Sequence, residues 1–308
     1  IHNNMSQAHT FRFVSQEKLQ HDIEQYEYLC RSKLLPNNFM EQIAAHRMVL
    51  AELELQSSST NRAAPQELSF EQRKRLSSSF NRVNYIPSDP TIEMTVLNEK
   101  LDYRSIDKSF SSTSPQSVIV DNFLSKPALK MLRSFCLEAT IWFDCKENGG
   151  YLGAYMHEGF DSPILLKLGR ELGASLPEIF RANKLVQMWA FKYGSQSLGT
   201  RLHADKATIN LNFWITPDEA NKEPESGGLR LYNVAAPNDW HFDQYNYEES
   251  GLRREIVRLN GKPLDIPYKC NRAVIFDSSL IHETIPMNFF NNYENRRINI
   301  TMLFGDRR

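Results

Sequence analysis

The first third of the chain places apolar residues three and four positions apart, which is the spacing of an amphipathic helix. This pattern predicts a helix over residues 16–35, a break at Pro36 and a second helix over residues 39–55. A shorter helix is predicted over residues 70–80. The apolar stripe of the first helix consists of Leu19, Ile23, Tyr26, Leu29 and Cys30. The pattern therefore predicts a helical N-terminal region.

After residue 116 the pattern changes to short apolar runs and alternation, which are typical of β-strands. Helices followed by many separate strands indicate an α+β fold, with a helical region over 1–115 and a β-rich domain over 116–308. Residues 56–61 have the composition of a linker. The predicted strands are 117–120, 185–193, 208–216, 229–232, 273–276 and 297–304, and further helices are predicted at 128–139 and 164–176.

Strand 208–216 shows the clearest alternation of apolar and polar positions. One face carries Ile209, Leu211, Phe213 and Ile215, and the other carries Asn210, Asn212 and Trp214. The last strand behaves in the same way, with Ile298, Ile300 and Met302 opposite Arg297, Asn299 and Thr301. We therefore expect the apolar face of each strand to pack in the hydrophobic core. The opposite, polar face is expected to point toward the interior of the β-rich domain.

Composition and charge exclude several classes of protein. Of 308 residues, 41% are hydrophobic and 24% are charged, which fits a folded domain rather than a disordered chain. The net charge of −1 lacks the basic excess of a nucleic-acid-binding protein. No apolar run approaches the roughly 20 residues of a membrane helix. We therefore expect neither a nucleic-acid partner nor a membrane.

Two features of the chain bear on its compartment. Ile1 is not followed by an apolar signal segment, so we expect a processing boundary rather than a targeting peptide. The cysteines lack the C-x-x-C spacing of zinc and redox sites, which favours reduced thiols in a cytoplasmic protein. These cysteines are Cys30, Cys136, Cys145 and Cys270.

The segment His203-Ala204-Asp205 places an imidazole and a carboxylate two positions apart, where a strand directs both to one face. His282 follows the predicted strand 273–276. Two imidazoles and one carboxylate are the ligand set of the facial triad that holds non-haem Fe(II). A second H-x-D, at His241 and Asp243, lies in an aromatic stretch without alternation, so the pattern favours His203.

The polar face of the last strand begins with Arg297, and a buried face of this kind is unfavourable unless it binds a ligand. A planar guanidinium pairs with a carboxylate through two parallel hydrogen bonds, so it suits a dicarboxylate. Arg296 is the alternative anion-binding residue, but its side chain is expected on the apolar face. The sequence therefore predicts an anion site near the metal site.

The order of these residues resembles that of the Fe(II)- and 2-oxoglutarate-dependent dioxygenases, in particular their prolyl 4-hydroxylase-like branch. The resemblance covers roughly residues 116–308 and implies a double-stranded β-helix (jelly-roll) core. In this family a Gly-Gly element lies between the H-x-D segment and the distal histidine. Gly227 and Gly228 lie between His203 and His282 but before His241, which counts further against His241 as a ligand. The matching positions are Val120–Leu124, Tyr193, His203, Asp205, Gly227, Gly228, Arg272–Phe276, His282, Arg297 and Thr301.

The resemblance implies a role for each matching side chain. His203, Asp205 and His282 match the iron ligands, and Arg297 matches the residue that pairs with the distal carboxylate of 2-oxoglutarate. Tyr193 matches a tyrosine near the cosubstrate, and Thr301 matches a supporting hydroxyl. Trp214 stands where related hydroxylases often have a tyrosine, and Asn212 on the same face could take its place.

The implied activity is hydroxylation of a C–H bond, with Fe(II), 2-oxoglutarate and O2 as cofactor and cosubstrates and with succinate and CO2 as co-products. The expected substrate is a peptidyl residue or a small metabolite. The alternative is a non-catalytic jelly-roll module that binds a metal or ligand, with a protein partner recruited through the helical N-terminal region. Residues 233–268 are interpreted as a lid or wall beside the metal, and His21 and His46 as surface or interface residues. The aromatic side chains of the 233–268 insertion are Trp240, Phe242, Tyr245 and Tyr247.

Overall fold

A computed structural model describes residues 12–57, 61–88, 92–147 and 150–307, so residues 58–60 of the predicted linker lie outside the described residues. The helices are α1 (Gln16–Arg31), α2 (Met40–Gln56), α3 (Phe70–Leu76), α4 (Tyr103–Ser112), α5 (Lys126–Glu138), α6 (Pro163–Ser175), α7 (Pro177–Phe180), α8 (Phe242–Asn246) and α9 (Glu249–Arg258). The strands are β1 (Phe13–Val14), β2 (Gln66–Glu67), β3 (Ser117–Val120), β4 (Asp144–Lys146), β5 (Tyr151–Tyr155), β6 (Leu185–Tyr193), β7 (Gln196–Ser197), β8 (Ile209–Trp214), β9 (Leu229–Ala235), β10 (Pro263–Ile266), β11 (Ala273–Asp277), β12 (Leu280–Thr284), β13 (Met287–Asn288) and β14 (Ile298–Phe304).

Helices α1 and α2 pack together through the apolar faces that their spacing predicts. Ser15 is the N-cap of α1, because its hydroxyl accepts a hydrogen bond from the N–H of Lys18 at 3.2 Å. Helix α1 ends at Arg31, earlier than predicted, because Lys33 adopts a left-handed conformation with a φ of 59°. The apolar core of this helical region contains Leu19, Ile23, Tyr26, Leu29, Ile43, Val49, Leu50, Leu53, Leu76 and Phe80.

Seven strands form one large antiparallel sheet in the order β3-β11-β8-β14-β6-β5-β4. The apolar residues of β8 and β14 pack against helices α5 and α6 on the outer face of this sheet. Because successive side chains alternate between faces, the polar residues of both strands point to the opposite, inner face. The outward-facing apolar residues are Ile209, Leu211, Phe213, Ile298, Ile300, Met302 and Phe304. The predicted division of strand β8 into an apolar and a polar face is confirmed.

A smaller antiparallel sheet, in the order β10-β9-β12, packs against the inner face of the large sheet. Apolar side chains from both sheets fill part of the space between them. Two packed antiparallel sheets with helices on one outer face agree with the expected α+β class and with a jelly-roll core. The residues between the sheets include Tyr193, Trp214, Val274 and Phe276 from the large sheet and Leu229, Leu231, Ile266 and Leu280 from the small one.

The segment before residue 116 contributes to the core of the large sheet. Val96, Leu97 and Phe110 are buried among the residues that pack against helices α5 and α6. These residues precede the predicted boundary at residue 116 but pack with the β-rich part. The division of the chain into two regions at residue 116 therefore stays a prediction.

The four cysteines are free thiols, in agreement with their scattered spacing. Burial raises the pKa of Cys136 to about 12, so this thiol stays protonated and unreactive. Among the helices of the described residues, we find none whose length and apolar character would let it cross a membrane.

Helix α1 is held on the β-rich part of the chain by Arg296, which is buried. Its Nε donates to Glu24 Oε2 at 2.8 Å, and its Nη1 donates to Glu17 Oε1 at 2.9 Å. The expectation that Arg296 points to the apolar face of the last strand is wrong, because Arg296 precedes β14 and turns toward these carboxylates. The two ion pairs therefore connect α1 with the residue next to Arg297.

His21 and His46 are fully buried, so their interpretation as surface or interface residues is wrong. The ring of His21 lies 5.7 Å from that of Tyr293 and 6.2 Å from that of Trp142. Burial lowers the pKa of His21 well below its ordinary value, which keeps the ring neutral. The apolar spacing of α1 marks its contact with α2, and the second, more polar contact with the β-rich part leaves no periodic signal.

We expect the substitution Arg296→Ala to lower the free energy of unfolding by about 3 kcal/mol, because it leaves two largely buried carboxylates without their cation. Urea unfolding followed by circular dichroism measures this loss. The matched control is Arg12→Ala, which removes an exposed ion pair with Glu67 and should lower the free energy of unfolding much less. Equal effects of the two substitutions would show that Arg296 does not hold α1 in place.

Candidate functional site

The structure brings His203, Asp205 and His282 together, with their candidate ligand atoms all within 4.8 Å of one another. An isolated antiparallel bridge joins the two histidines, since the N–H of each donates to the carbonyl of the other at 2.9 and 2.8 Å. The N–H of Asp205 donates to the carbonyl of Ser278 at 3.1 Å. Backbone hydrogen bonds therefore position all three side chains.

Both imidazoles are oriented by backbone carbonyls. Nδ1 of His203 lies 2.7 Å from the carbonyl oxygen of Arg201, and Nδ1 of His282 lies 2.8 Å from that of Leu280. Because a carbonyl only accepts hydrogen bonds, each Nδ1 carries the proton and each Nε2 keeps a free lone pair. The Nε2 atoms lie 4.0 Å (His203) and 3.5 Å (His282) from the oxygens of Asp205. Two nitrogen lone pairs and a carboxylate thus face a common space.

The surroundings of the cluster favour the protonation states that a metal needs. Burial and the neighbouring His282 lower the pKa of His203 to about 4, which keeps its ring neutral. Burial acts to raise the pKa of Asp205, but interactions with His282, His203 and Asn210 hold it below its ordinary value. A neutral imidazole and an ionised carboxylate are the forms that bind a divalent cation, so these donors fit Fe(II).

Arg297 is a buried cation, with only 1% of its surface exposed, and it directly precedes β14. Its Nε donates to the carbonyl of Gly227 at 2.7 Å. Among the described residues, Arg297 has no carboxylate partner and its Nη1 has no hydrogen-bond acceptor. A buried guanidinium with an unpaired N–H is unfavourable in isolation, and a bound carboxylate would satisfy it.

Three aromatic rings enclose the guanidinium of Arg297. Its Cζ atom lies 4.9 Å from the ring centroid of Tyr193 and 5.8 Å from those of Trp214 and Tyr268. Tyr193 is buried at the end of β6, and burial raises the pKa of its hydroxyl. Trp214, which stands where related hydroxylases often have a tyrosine, is therefore one of the three rings around the Arg297 guanidinium. Tyr268 is another of these rings, and the sequence analysis did not identify it.

The Gly227-Gly228 element lets the backbone approach Arg297 closely. Gly227 has a φ of +72°, which glycine adopts without strain. A Cβ at Gly228 would lie 1.9 Å from the carbonyl oxygen of Ile266, so a side chain does not fit there. The two glycines thus present the carbonyl of Gly227 to the Nε of Arg297.

Asn212 and Thr301, which the resemblance assigns to the cosubstrate, lie opposite each other on β8 and β14. Both are buried, and the hydroxyl of Thr301 donates to Oδ1 of Asn212 at 3.2 Å. Two further buried amides on the same inner face, Asn210 and Asn299, hydrogen-bond with this pair. The alternation of β8 and β14 predicts that these amides point to the inner face. Their hydrogen bonds with one another could not be predicted from the sequence and are seen only in the structure.

Residues 233–268 form a wall beside the metal ligands and contain α8, α9 and β10, which pairs with β9. The carbonyl of Tyr245 accepts a hydrogen bond from the N–H of Ala204 at 2.8 Å, and the side-chain amide of Asn246 donates to the carbonyl of Ala204 at 3.0 Å. The ring of Tyr245 is itself buried, with the guanidinium carbon of Arg307 at 3.9 Å from its centroid. The aromatic side chains that remain exposed at this wall are Phe242 and Tyr247.

A cleft of about 1300 Å³ opens beside the loop that leads to His203. Helix α1 forms one side of the cleft, and helix α9 and the loop 194–201 form other parts of its lining. Most lining side chains are polar or charged, and they include Arg201 and Glu283, which neighbour the ligand histidines in sequence. His203, Asp205 and His282 do not line the cleft, and Glu283 lies on the opposite face of β12 from His282, so the cleft adjoins the segment before His203 but is not the metal site itself.

We expect the substitution His282→Ala to abolish binding of Mn(II) or Co(II), because it removes one of the three candidate donors found among the described residues. Equilibrium titration of the apoprotein with either ion measures this. The control is His241→Ala, which changes the exposed histidine of the second H-x-D and should leave binding intact. Retained binding in His282→Ala together with loss in His241→Ala would move the site to His241 and Asp243.

The sequence matches no family model and no curated protein. Similar solved structures include the non-haem α-ketoglutarate-dependent carbocyclase SnoK from nogalamycin biosynthesis, with 14% identity, a TM-score of 0.46 and coverage of 68% of this chain and 85% of that chain. A prolyl-4-hydroxylase from Pseudomonas putida is 12% identical with a TM-score of 0.43, over 67% of this chain and 99% of that chain. HygX from Streptomyces hygroscopicus, with nickel and 2-oxoglutarate bound, is 12% identical with a TM-score of 0.45, over 66% and 87%. At such low identity and with TM-scores below 0.5, the function has to be inferred from the side chains of the site.

Proposed function

We propose that the chain is a non-haem Fe(II)- and 2-oxoglutarate-dependent oxygenase with a jelly-roll core that hydroxylates a C–H bond. The observation that carries this proposal is the combination of the His203, Asp205 and His282 cluster with a buried Arg297 that has no carboxylate partner among the described residues. A structural metal site would not need an unpaired guanidinium, and an anion site alone would not need two oriented imidazoles. Both are needed where a metal and a dicarboxylate bind together.

Nε2 of His203, Nε2 of His282 and one oxygen of Asp205 would hold the iron. Three protein ligands leave further coordination positions for 2-oxoglutarate and O2. When bound, the iron and its cosubstrates supply the oxidation, in which 2-oxoglutarate, O2 and a C–H group give succinate, CO2 and an alcohol. Because Asp205 retains a ligating carboxylate, hydroxylation is favoured over halogenation, which needs this coordination position for a halide.

Arg297 would bind the distal carboxylate of 2-oxoglutarate. Its Nε is already used by Gly227, so the carboxylate would accept hydrogen bonds from the Nη atoms, of which Nη1 is unpaired among the described residues. The aromatic rings around Arg297 exclude water and so strengthen this interaction. Tyr193, Thr301 and Asn212 face the same interior and are proposed to line the cosubstrate pocket.

The polar cleft beside the segment that leads to His203 is proposed to contribute to substrate recognition. Its charged lining favours a polar substrate, either a peptidyl residue of the kind that prolyl hydroxylases modify or a small metabolite. Because α1 lines this cleft, the helical N-terminal region would contribute to substrate recognition or would recruit a protein partner. The exposed side chains of Phe242 and Tyr247 are further candidates for substrate contact.

Oxygen consumption tests the proposal directly. The purified full chain, supplied with Fe(II) and 2-oxoglutarate, should consume O2 and release succinate, and omission of either should stop both. A mass-spectrometric screen of peptides and metabolites for a gain of about 16 Da, the mass of one oxygen atom, would then identify the substrate. Metal binding without O2 consumption would refute the oxygenase and favour a non-catalytic metal- or ligand-binding module.

We expect the substitution Arg297→Ala to weaken the apparent affinity for 2-oxoglutarate at least roughly tenfold, because a buried carboxylate loses its charged partner. Titration of the metal-loaded protein with 2-oxoglutarate measures this, and metal binding should survive. The control is Arg230→Ala, which removes an exposed guanidinium paired with Asp265 on the small sheet. Unchanged 2-oxoglutarate affinity in Arg297→Ala would refute the assignment of Arg297.

A further inference from the structure

A continuous chain of buried hydrogen bonds ends on the carboxylate of Asp205. Nδ2 of Asn299 donates to the hydroxyl of Thr301 at 3.1 Å, and that hydroxyl donates to Oδ1 of Asn212 at 3.2 Å. Nδ2 of Asn212 donates to Oδ1 of Asn210 at 3.2 Å, and Nδ2 of Asn210 donates to Oδ2 of Asp205 at 2.6 Å. We call the four residues Asn299, Thr301, Asn212 and Asn210 the amide relay.

The amide relay has a fixed direction. An ionised carboxylate can only accept hydrogen bonds, so Asn210 must turn its NH2 group toward Asp205 and its oxygen toward Asn212. This orientation in turn requires Asn212 to donate to Asn210 and to accept from Thr301. Each hydrogen bond polarises the next, which strengthens the last one, the charge-assisted bond to Asp205.

We propose that the amide relay positions Asp205 for metal binding: it holds Oδ2 in place and leaves Oδ1 to the metal. This inference rests on the proposed function, since it concerns the same metal site. It makes Asn210 a positioning residue, and it gives Asn212 and Thr301 an effect on the metal in addition to their proposed contact with 2-oxoglutarate. Without Asn210, the carboxylate could rotate about its Cβ–Cγ bond.

The alternative is that the four side chains only satisfy one another in a buried layer. Their burial alone would require hydrogen bonds, whatever their neighbours are. This alternative predicts that a substitution in the relay changes stability but leaves metal affinity unchanged. Metal affinity therefore distinguishes the two roles, and no substrate is needed to measure it.

The test titrates the full-length apoprotein with Co(II) under anaerobic conditions and follows visible absorption. Asn210→Ala should weaken Co(II) binding about 10- to 100-fold, which is the effect of removing a group that orients a metal ligand. Thr301→Val preserves shape and removes only a hydroxyl, so a loss of about two- to fourfold is expected from weaker polarisation along the relay. Asn210→Ala should also shift the Co(II) absorption bands, because the freed carboxylate can bind through both oxygens.

Thr216→Val is the matched control. Thr216 is also buried, two residues after the end of β8, where its hydroxyl donates to the carbonyl of Arg296 at 2.9 Å and accepts from the N–H of Ile298 at 3.0 Å. It lies outside the relay, so its substitution should leave Co(II) affinity unchanged even where stability falls. If Asn210→Ala does not fold, the comparison of Thr301→Val with Thr216→Val decides.

A double substitution tests whether Thr301 acts through Asn210. If it does, Asn210→Ala combined with Thr301→Val should bind Co(II) no more weakly than Asn210→Ala alone. The relay would be overturned if the losses in Co(II) affinity of the two single variants multiplied in the double variant. It would also be overturned if wild type, Asn210→Ala and Thr301→Val bound Co(II) equally well. In both cases the metal site itself would stand. A wild-type protein that binds no Co(II) would overturn both, and relay effects without O2 consumption would overturn only the oxygenase.

Discussion

The pairing of β8 with β14 is the constraint on which the site depends. In the observed register Thr301 lies opposite Asn212, and both strands turn their apolar residues toward helices α5 and α6. A slip by one residue would place the polar residues against those helices and the apolar residues inside, so burial of the apolar face specifies the register strongly. The same register aligns the four residues of the amide relay on the inner face of the sheet. It also fixes the position of Arg297, which directly precedes β14. Packing on one face of the sheet thus determines the chemistry on the other.

Two adjacent arginines show how the fold treats a buried cation. Arg296 is neutralised by Glu17 and Glu24, and the result is a structural link between α1 and the large sheet. Arg297 faces the opposite way, among aromatic rings and one carbonyl, and the described residues provide no carboxylate for it. Burial lowers the pKa of Arg297, which expresses the unfavourable free energy of this charge in isolation. An anionic ligand would supply what Glu17 and Glu24 supply to Arg296.

The features that could be predicted from the sequence are those that leave a regular spacing of apolar and polar residues. Alternation identified the inner faces of β8 and β14, and the H-x-D motif, together with the family resemblance, identified the residues that cluster as candidate ligands. The expectation that H-x-D lies on a strand is wrong, because β8 begins only at Ile209 and His203 is held by an isolated bridge to His282. Periodicity could not reveal contacts between distant segments. The Tyr268 ring beside Arg297, the turn of Arg296 toward α1 and the hydrogen bond from Asn299 to Thr301 were therefore missed. His21 was misplaced because α1 is covered on two sides, and the second, polar side has no apolar spacing. Residues 233–268 were expected as one insertion, and their helices α8 and α9 were not predicted.

The candidate ligands are held in position by contacts within the protein itself. Gly199, at a φ of +84°, packs where a Cβ would lie 2.1 Å from the carbonyl oxygen of Thr284, and the hydroxyl of Thr200 donates to that of Thr284 at 3.0 Å. These contacts fasten the segment before His203 to strand β12, which carries His282. On the other side, Tyr245 and Asn246 hold the backbone of Ala204. Because the fold has already met the entropic cost of ordering these donors, metal binding would contribute affinity and chemistry rather than the folding free energy that a metal supplies to a zinc finger.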